Sequence, residues 1–356
     1  MEVRANILSN AKGFNWEVSA NLTSVSNKVL KLPTSDKPFN QIDGYEVAAG
    51  LYNPETGETP TKWIGGYREG GKLGDMVGYV QNHIFRDWND VKANANMVID
   101  EVANLYGPGM ANEINPQTGV TYAESNGWKP IEPGDVCWED INKDGKINSL
   151  DRAVVGNIFP KVTGGFSTTL SYKNWSLYAR FDYALGHTIY NDLKARSLGQ
   201  YQGQFNIIDK VHDTWSETNP DTDLPVFTYA DQLNKKNITR SNNGNTAVDN
   251  NSSRFYEKGD YLALREDYPQ LLFTKKNGLV KQVCKMQSVY VTGQNLFYIT
   301  GYDGVSPEQL YLQFNGRGID NGRYPTPRTL LFGLSVNILK KTTIMKKIFN
   351  YIIAGS

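Results

Sequence analysis

Apolar and polar positions alternate at period two in short bursts along this chain, and long polar stretches separate the bursts. In TGGFSTTLSYKNWSLYARFDYALG, Phe166, Thr168, Leu170 and Tyr172 alternate with small polar residues. After Lys173 and Asn174 the set Trp175, Leu177, Ala179, Phe181 and Tyr183 alternates with Ser176, Tyr178, Arg180 and Asp182. Two strands joined by a tight turn are predicted. The same plan places Val3, Ala5 and Ile7 before a short turn and Phe14, Trp16, Val18, Ala20 and Leu22 after it. Near the other end, Leu330, Phe332, Leu334, Val336 and Ile338 share one face, opposite Gly333, Ser335 and Asn337. DYLALRE running on towards Phe273, and QSVYVTGQNLFYI, complete seven strands.

Short and long connections alternate. The long ones cover residues 25 to 162, 186 to 258 and 300 to 327. A soluble sandwich has no reason to gather every long loop at one end, whereas a membrane barrel has short turns on one side and long loops on the other. Aromatic residues near strand ends fit an interfacial girdle. The expected fold class is therefore all-β, strands of a transmembrane antiparallel β-barrel with long extracellular loops and outer-membrane lipid around it. Within the loops, GDMVGYVQNHIF reads as a strand rising above the membrane, WNDVKANANMVIDEVANLY as a short helix, and FNIIDKVHDTWSETNP as a helix ending at Asn219-Pro220. Pro269 cannot donate to a sheet ladder, so a bulge or register change is expected there.

Composition sharpens this picture. The chain has 356 residues and a formal net charge of zero, which gives no electrostatic footprint for nucleic acid. No run reaches the roughly 18 apolar residues of a membrane helix, a statement that leaves membrane strands open. Cys137 and Cys284 lack metal-ligand spacing; a disulfide stays open, and two unlinked thiols are the simpler reading.

One stretch carries ion chemistry. In DINKDGKINSLD, Asp140, Asn142 and Asp144 fall at positions 1, 3 and 5 of a calcium-type loop, Gly145 makes the turn, and Lys146 offers its backbone carbonyl at 7. Asn148 at 9 and Asp151 at 12 complete a set of oxygen ligands for Ca2+. The flanks EPGDVCWE and RAVVGNIFPKVTGGF lack helical periodicity, so this is a calcium loop without an EF-hand; a solvated turn without an ion is the alternative. Enzyme chemistry is not indicated. His83, His187 and His212 read as exposed loop histidines, and GYREGGKLGDM lacks the Lys-Ser/Thr of a phosphate loop. Trp63, Trp88, Trp128 and Trp215 could stack on a ligand or pack the loops together.

Four blocks, GDVCWEDINKDGKINSLDRAVVGNIFPKVTGGFSTTLSYKNWSL, SSRFYEKGDYLALRE, VYVTGQNLFYITGYDGVSPE and YPTPRTLLFGLSVNI, together resemble the C-terminal part of SusC/RagA-type TonB-dependent importers of Bacteroidetes. The resemblance implies an outer-membrane barrel of about 22 strands around an N-terminal plug. It also implies a SusD-like lipoprotein as lid, and import of glycans or peptides with energy passed through TonB. No plug or TonB-contacting segment is legible, so TonB would act through a missing N-terminal part, and residues 1 to 339 read as the last third of an importer. In the tail, residues 340 to 356, Met345, Lys346 and Lys347 lead IFNYIIAG like the opening of a signal sequence. Read-through into a neighbouring gene for the lipoprotein, or a frayed basic end, would account for it. The rival to the importer is a secreted β-sheet carbohydrate-binding or scaffold module with a dockerin-like calcium half-motif.

Overall fold

The computed structural model describes residues 2–3, 13–33, 40–199, 208–227, 251–273, 284–308, 318–322 and 324–338. The tail from residue 340 lies outside them. Alternation along the chain builds one antiparallel sheet whose spatial order follows the sequence. Its strands are β1 (Glu2–Val3), β2 (Phe14–Ser24), β3 (Val162–Tyr172), β4 (Trp175–Leu185), β5 (Tyr261–Phe273), β6 (Cys284–Thr300) and β7 (Thr329–Ile338). β2, β3 and β4 are each 11 residues long, the length that crosses a bilayer when tilted. A two-residue turn joins β3 to β4, with Lys173 at φ 53°.

Register decides which side chains share a face. Trp16 pairs with Leu170, which pairs with Leu177; Phe14 pairs with Tyr172, which pairs with Trp175. The row continues through Leu271 and Val289 to Leu334. This apolar face is solvent-exposed: Trp175 is 60% and Phe332 79% accessible, and Leu22, Leu177, Ile299 and Leu330 are also exposed. So wide a contiguous patch is foreign to a water-soluble surface and fits hydrocarbon. The opposite face is polar, with Arg180 3.8 Å from Glu266 and Arg265 3.0 Å from Asp182. One carboxylate departs from the pattern. Asp267 shares a row with Ala179 and Gly293 on the apolar face, and its Oδ1 is buried with no hydrogen-bond partner.

The bulge lies elsewhere than the expected Pro269. Pro269 pairs in register with Leu177. Towards β6 the pairing passes over Tyr268 and Pro269 without a shift, because a missing donor removes a bond but adds no residue. The shift comes at Arg265, the extra residue of β5 between Leu264, opposite Phe181, and Glu266, opposite Arg180. Asn295 of β6, at φ 52°, stands where the β5–β6 register also shifts.

The buried core sits in the loops. One cluster joins Met76 and Ile158 to Tyr190, Leu198, Leu224 and Phe255, so the first two long connections pack as one body. Phe85, Val91, Ala95, Leu105 and Ile131 form a second cluster around helix α1 (Trp88–Ala95). The first loop is less regular than expected. Its rising strand is two, Asp75–Tyr79 and Gln81–Ile84, each paired with a different partner. Helix α1 stops after eight residues because Ile99–Asp100 and Leu105–Tyr106 are drawn into strand pairs with distant segments. The helix expected near residues 205–219 reduces to a 3-10 turn at Asp209–Asp213 among the described residues.

Candidate functional site

The loop at 140–151 folds onto its own backbone. Asp140 Oδ2 accepts from the Gly145 N–H (2.8 Å), and Asp144 Oδ1 accepts from the Lys146 N–H (2.8 Å). Asn148 Oδ1 accepts from the Leu150 N–H (2.8 Å). Asp151 accepts from Ile141 N–H through one oxygen (2.9 Å) and Asn148 N–H through the other (2.8 Å), which ties the two ends of the loop together. Asn142 is buried, its amide reaching Thr59 and Asp144. After Gly145 the chain becomes a short strand parallel to Ile99–Asp100. The carbonyls of Gly145 and Ile147 bind the N–H groups of Ile99 and Glu101, so alternation turns the Lys146 carbonyl between them the other way.

The electrostatics are those of crowded carboxylates. Burial, with the charges of Asp140 and Asp144 added, pushes the Asp151 carboxyl up to about 6. Burial also raises that of Asp140, with Asp144 contributing. Lys146 turns its ammonium to Glu101 (3.6 Å), away from these groups. Asp140 Oδ1 is buried and accepts no hydrogen bond. Among the described residues, no group of three or more Asp, Glu, His or Cys side chains is drawn together as a metal site. The donor set of three carboxylates, two amides and a carbonyl nevertheless has the hard-oxygen chemistry that Ca2+ takes, and Asp140 Oδ1 is an acceptor awaiting a partner.

The loop aromatics separate. Trp128 is 9% accessible and packs edge-on against Tyr122, with ring centroids 5.0 Å apart, so it belongs to the core. Trp63 lies in the Thr61–Ile64 strand of a local hairpin. Trp88 and Trp215, far apart in sequence, line one cleft of about 750 Å3 together with Phe227, Glu132 and Glu217. Only the two tryptophans stood out in the sequence; nothing local marks the others as their neighbours.

The histidines also divide, and the reading of all three as exposed needs correction. His187 is 3% accessible, enclosed where β4 leaves the sheet. His83 Nε2 sits 3.1 Å from Asp90. Cys137 is a free, buried thiol, and burial pushes it up to about 12, which makes it inert at neutral pH.

No family model matches the chain. It is similar to TonB-dependent receptor P3 of Formosa agariphila, 27% identical over 334 residues that make up 91% of this chain and 27% of that receptor. Receptor P39 of the same organism is 25% identical over 94% of this chain and 31% of its own length. In fold the chain is similar to the RagAB peptide transporter, with a TM-score of 0.53 and 18% identity over 92% of this chain and 28% of that one. The importer in its open-open state gives a TM-score of 0.51. The chain thus spans about a quarter to a third of the length of these relatives. They are receptors and transporters, in keeping with the non-enzymatic reading. The resemblance read from the sequence is matched on both counts: in sequence the chain is similar to TonB-dependent receptors, which are outer-membrane proteins, and in fold to the RagAB transporter.

Proposed function

We propose that the chain supplies wall strands and the extracellular mouth of an active importer, driven through TonB, that takes up glycans or peptides beneath a SusD-like lipoprotein lid. The observation that carries this reading is the division of labour in the fold. One face of the sheet is apolar and exposed and the other carries charge, while the buried hydrophobic clusters among the described residues lie in the long connections. A secreted module would have to hide the apolar face, so the dockerin-like alternative loses its footing. Similarity to TonB-dependent receptors, and to a structure described as a peptide transporter, supports the same reading.

In this reading Asp140, Asn142, Asp144, Asn148, Asp151 and the Lys146 carbonyl hold Ca2+ as a structural ion. The ion would neutralise the crowded carboxylates and fix the path from Trp138 to Arg152. The protein's own share is to preset the loop through the Asp151 contacts and the parallel strand at Lys146–Ile147.

Fractionation of the native envelope, with uptake compared in TonB-competent and TonB-deficient cells, tests the import reading. Surface-accessible protein of importer size and TonB-dependent uptake support it; a soluble form near 40 kDa overturns it. Limited proteolysis with and without chelator tests the ion. Faster cleavage near residues 139–152 with the strands intact is expected, and equal cleavage removes calcium from the account.

A further inference from the structure

The cleft between Trp88 and Trp215 is built, and its charge has a sign. Trp215 is fixed on three sides. Its indole N–H donates to the Arg86 carbonyl (3.2 Å), and its backbone N–H donates to Leu224 (2.9 Å). Its ring lies on Gly134, where a Cβ would come within 2.6 Å. Only glycine lets the indole lie this close to the backbone, so the aromatic wall is held before any ligand arrives. Trp88, the first residue of α1, is 49% accessible, and the Asp87 cap at 2.9 Å from the Asp90 N–H holds its helix end in place.

The lining adds the acidic residues Asp87, Glu132, Asp135 and Glu217. Arg86, the one basic side chain among the described lining residues, points its Nε to Asp221 at 3.2 Å. The segment from Asp209 to Asp223 carries five acidic residues against Lys210 alone. Aromatic faces bind neutral sugar rings and cations alike, but acidic groups beside two indoles favour a cation, which gains from both the ring quadrupoles and the field.

We propose that this cleft binds a positively charged organic group, an alkylammonium or guanidinium side chain carried by a peptide. The assignment rests on the import reading, because it makes the cleft a recognition point at the substrate-facing mouth. At about 750 Å3 the space suits one or two residues of an extended chain.

The test uses the protein purified from the outer membrane in detergent and titrated with tri-arginine or with a neutral trisaccharide, followed by tryptophan fluorescence and calorimetry. Saturable tri-arginine binding is expected, weakened about tenfold by Trp88→Ala or Glu217→Gln and weakened again by added salt. Both positions are exposed, and unchanged heat-modifiability on gels shows that the variants fold. Tri-arginine binding that neither variant alters, no such binding, or preference for the trisaccharide with no effect of Glu217→Gln overturns the assignment. Uptake in TonB-competent and TonB-deficient cells is read alongside. TonB-dependent uptake without tri-arginine binding discards the cleft and keeps the importer, whereas TonB-independent uptake discards the importer.

Discussion

At the scale of single residues, Arg265 has the largest consequence for the wall. The bulge turns it to the polar face, where it pairs with Asp182 and, through both terminal nitrogens, with Glu308; Tyr298 Oη also donates to Glu308 (2.7 Å). Glu308 lies in the third long connection, so this pair ties a loop to the wall. Arg265→Met leaves the carboxylate without its cation, a loss of about 1–3 kcal/mol for a partly buried pair. Protease sensitivity of residues 301–308 should rise, and Arg265→Lys should rescue poorly because lysine cannot offer the planar fork. Asp267 is the opposite case. An unpaired carboxylate on the lipid face costs stability, so Asp267→Leu should raise resistance to heat unfolding on gels by an equivalent of about 1–2 kcal/mol. His187 gives the pH prediction. Burial holds its imidazole below the usual value, so between the folded value and about 6.5 the unfolded chain binds more protons. Stability at this junction is therefore full above about pH 6.5 and falls as pH drops below it. Protection at Thr188–Asn191 and its partner Tyr256–Lys258, taken relative to intrinsic exchange at each pH, should fall on acidification in the native protein and stay level in His187→Phe.

At the scale of elements, α1 depends on its first turn. Asp87→Ala removes the cap and should cost about 1 kcal/mol, seen as faster exchange confined to Trp88–Ala95. This helix also marks where the sequence stopped being readable. Six wall strands and the start of the first at Glu2–Val3 were legible, Ala5 and Ile7 lying outside the described residues, because period-two alternation is a local signal that a lipid-facing strand must carry. The tight turn at Lys173-Asn174 was legible too, whereas the register that aligns Phe14, Tyr172 and Trp175 needed the sheet. Residues 99–106 read as more helix because their strand partners, Lys129–Pro130 and Lys146–Ile147, lie tens of residues away. Pro269 misled for a related reason. A proline announces a lost donor, but the extra residue of a bulge is set by pairing, and Arg265 carries no local mark of it. For the loop at 140–151, the alternation of Asp and Asn was legible, while the burial of Asp151 and the unmet oxygen of Asp140 needed the fold. Of the cleft, only the two tryptophans were visible in advance.

At the scale of the whole molecule, the fold makes a statement about sidedness. The body formed by the first and second long connections stands at the end where β3 begins and β4 ends, and the Lys173–Asn174 turn stands at the other. If the strands cross an outer membrane with their loops facing out, the two ends meet different compartments. Gln117 and Asn174 are both exposed and lie at opposite ends. A cysteine at Gln117 should react with a membrane-impermeant maleimide on intact cells. One at Asn174 should react only after the envelope is opened, with the wild-type protein giving the background from its native thiols. Equal labelling at both positions on intact cells would contradict the crossing itself. Labelling at Asn174 alone would invert it, placing the loops and the tryptophan cleft in the periplasm, where no external substrate could meet them first. Sidedness is therefore the one property on which wall, loops and cleft all depend.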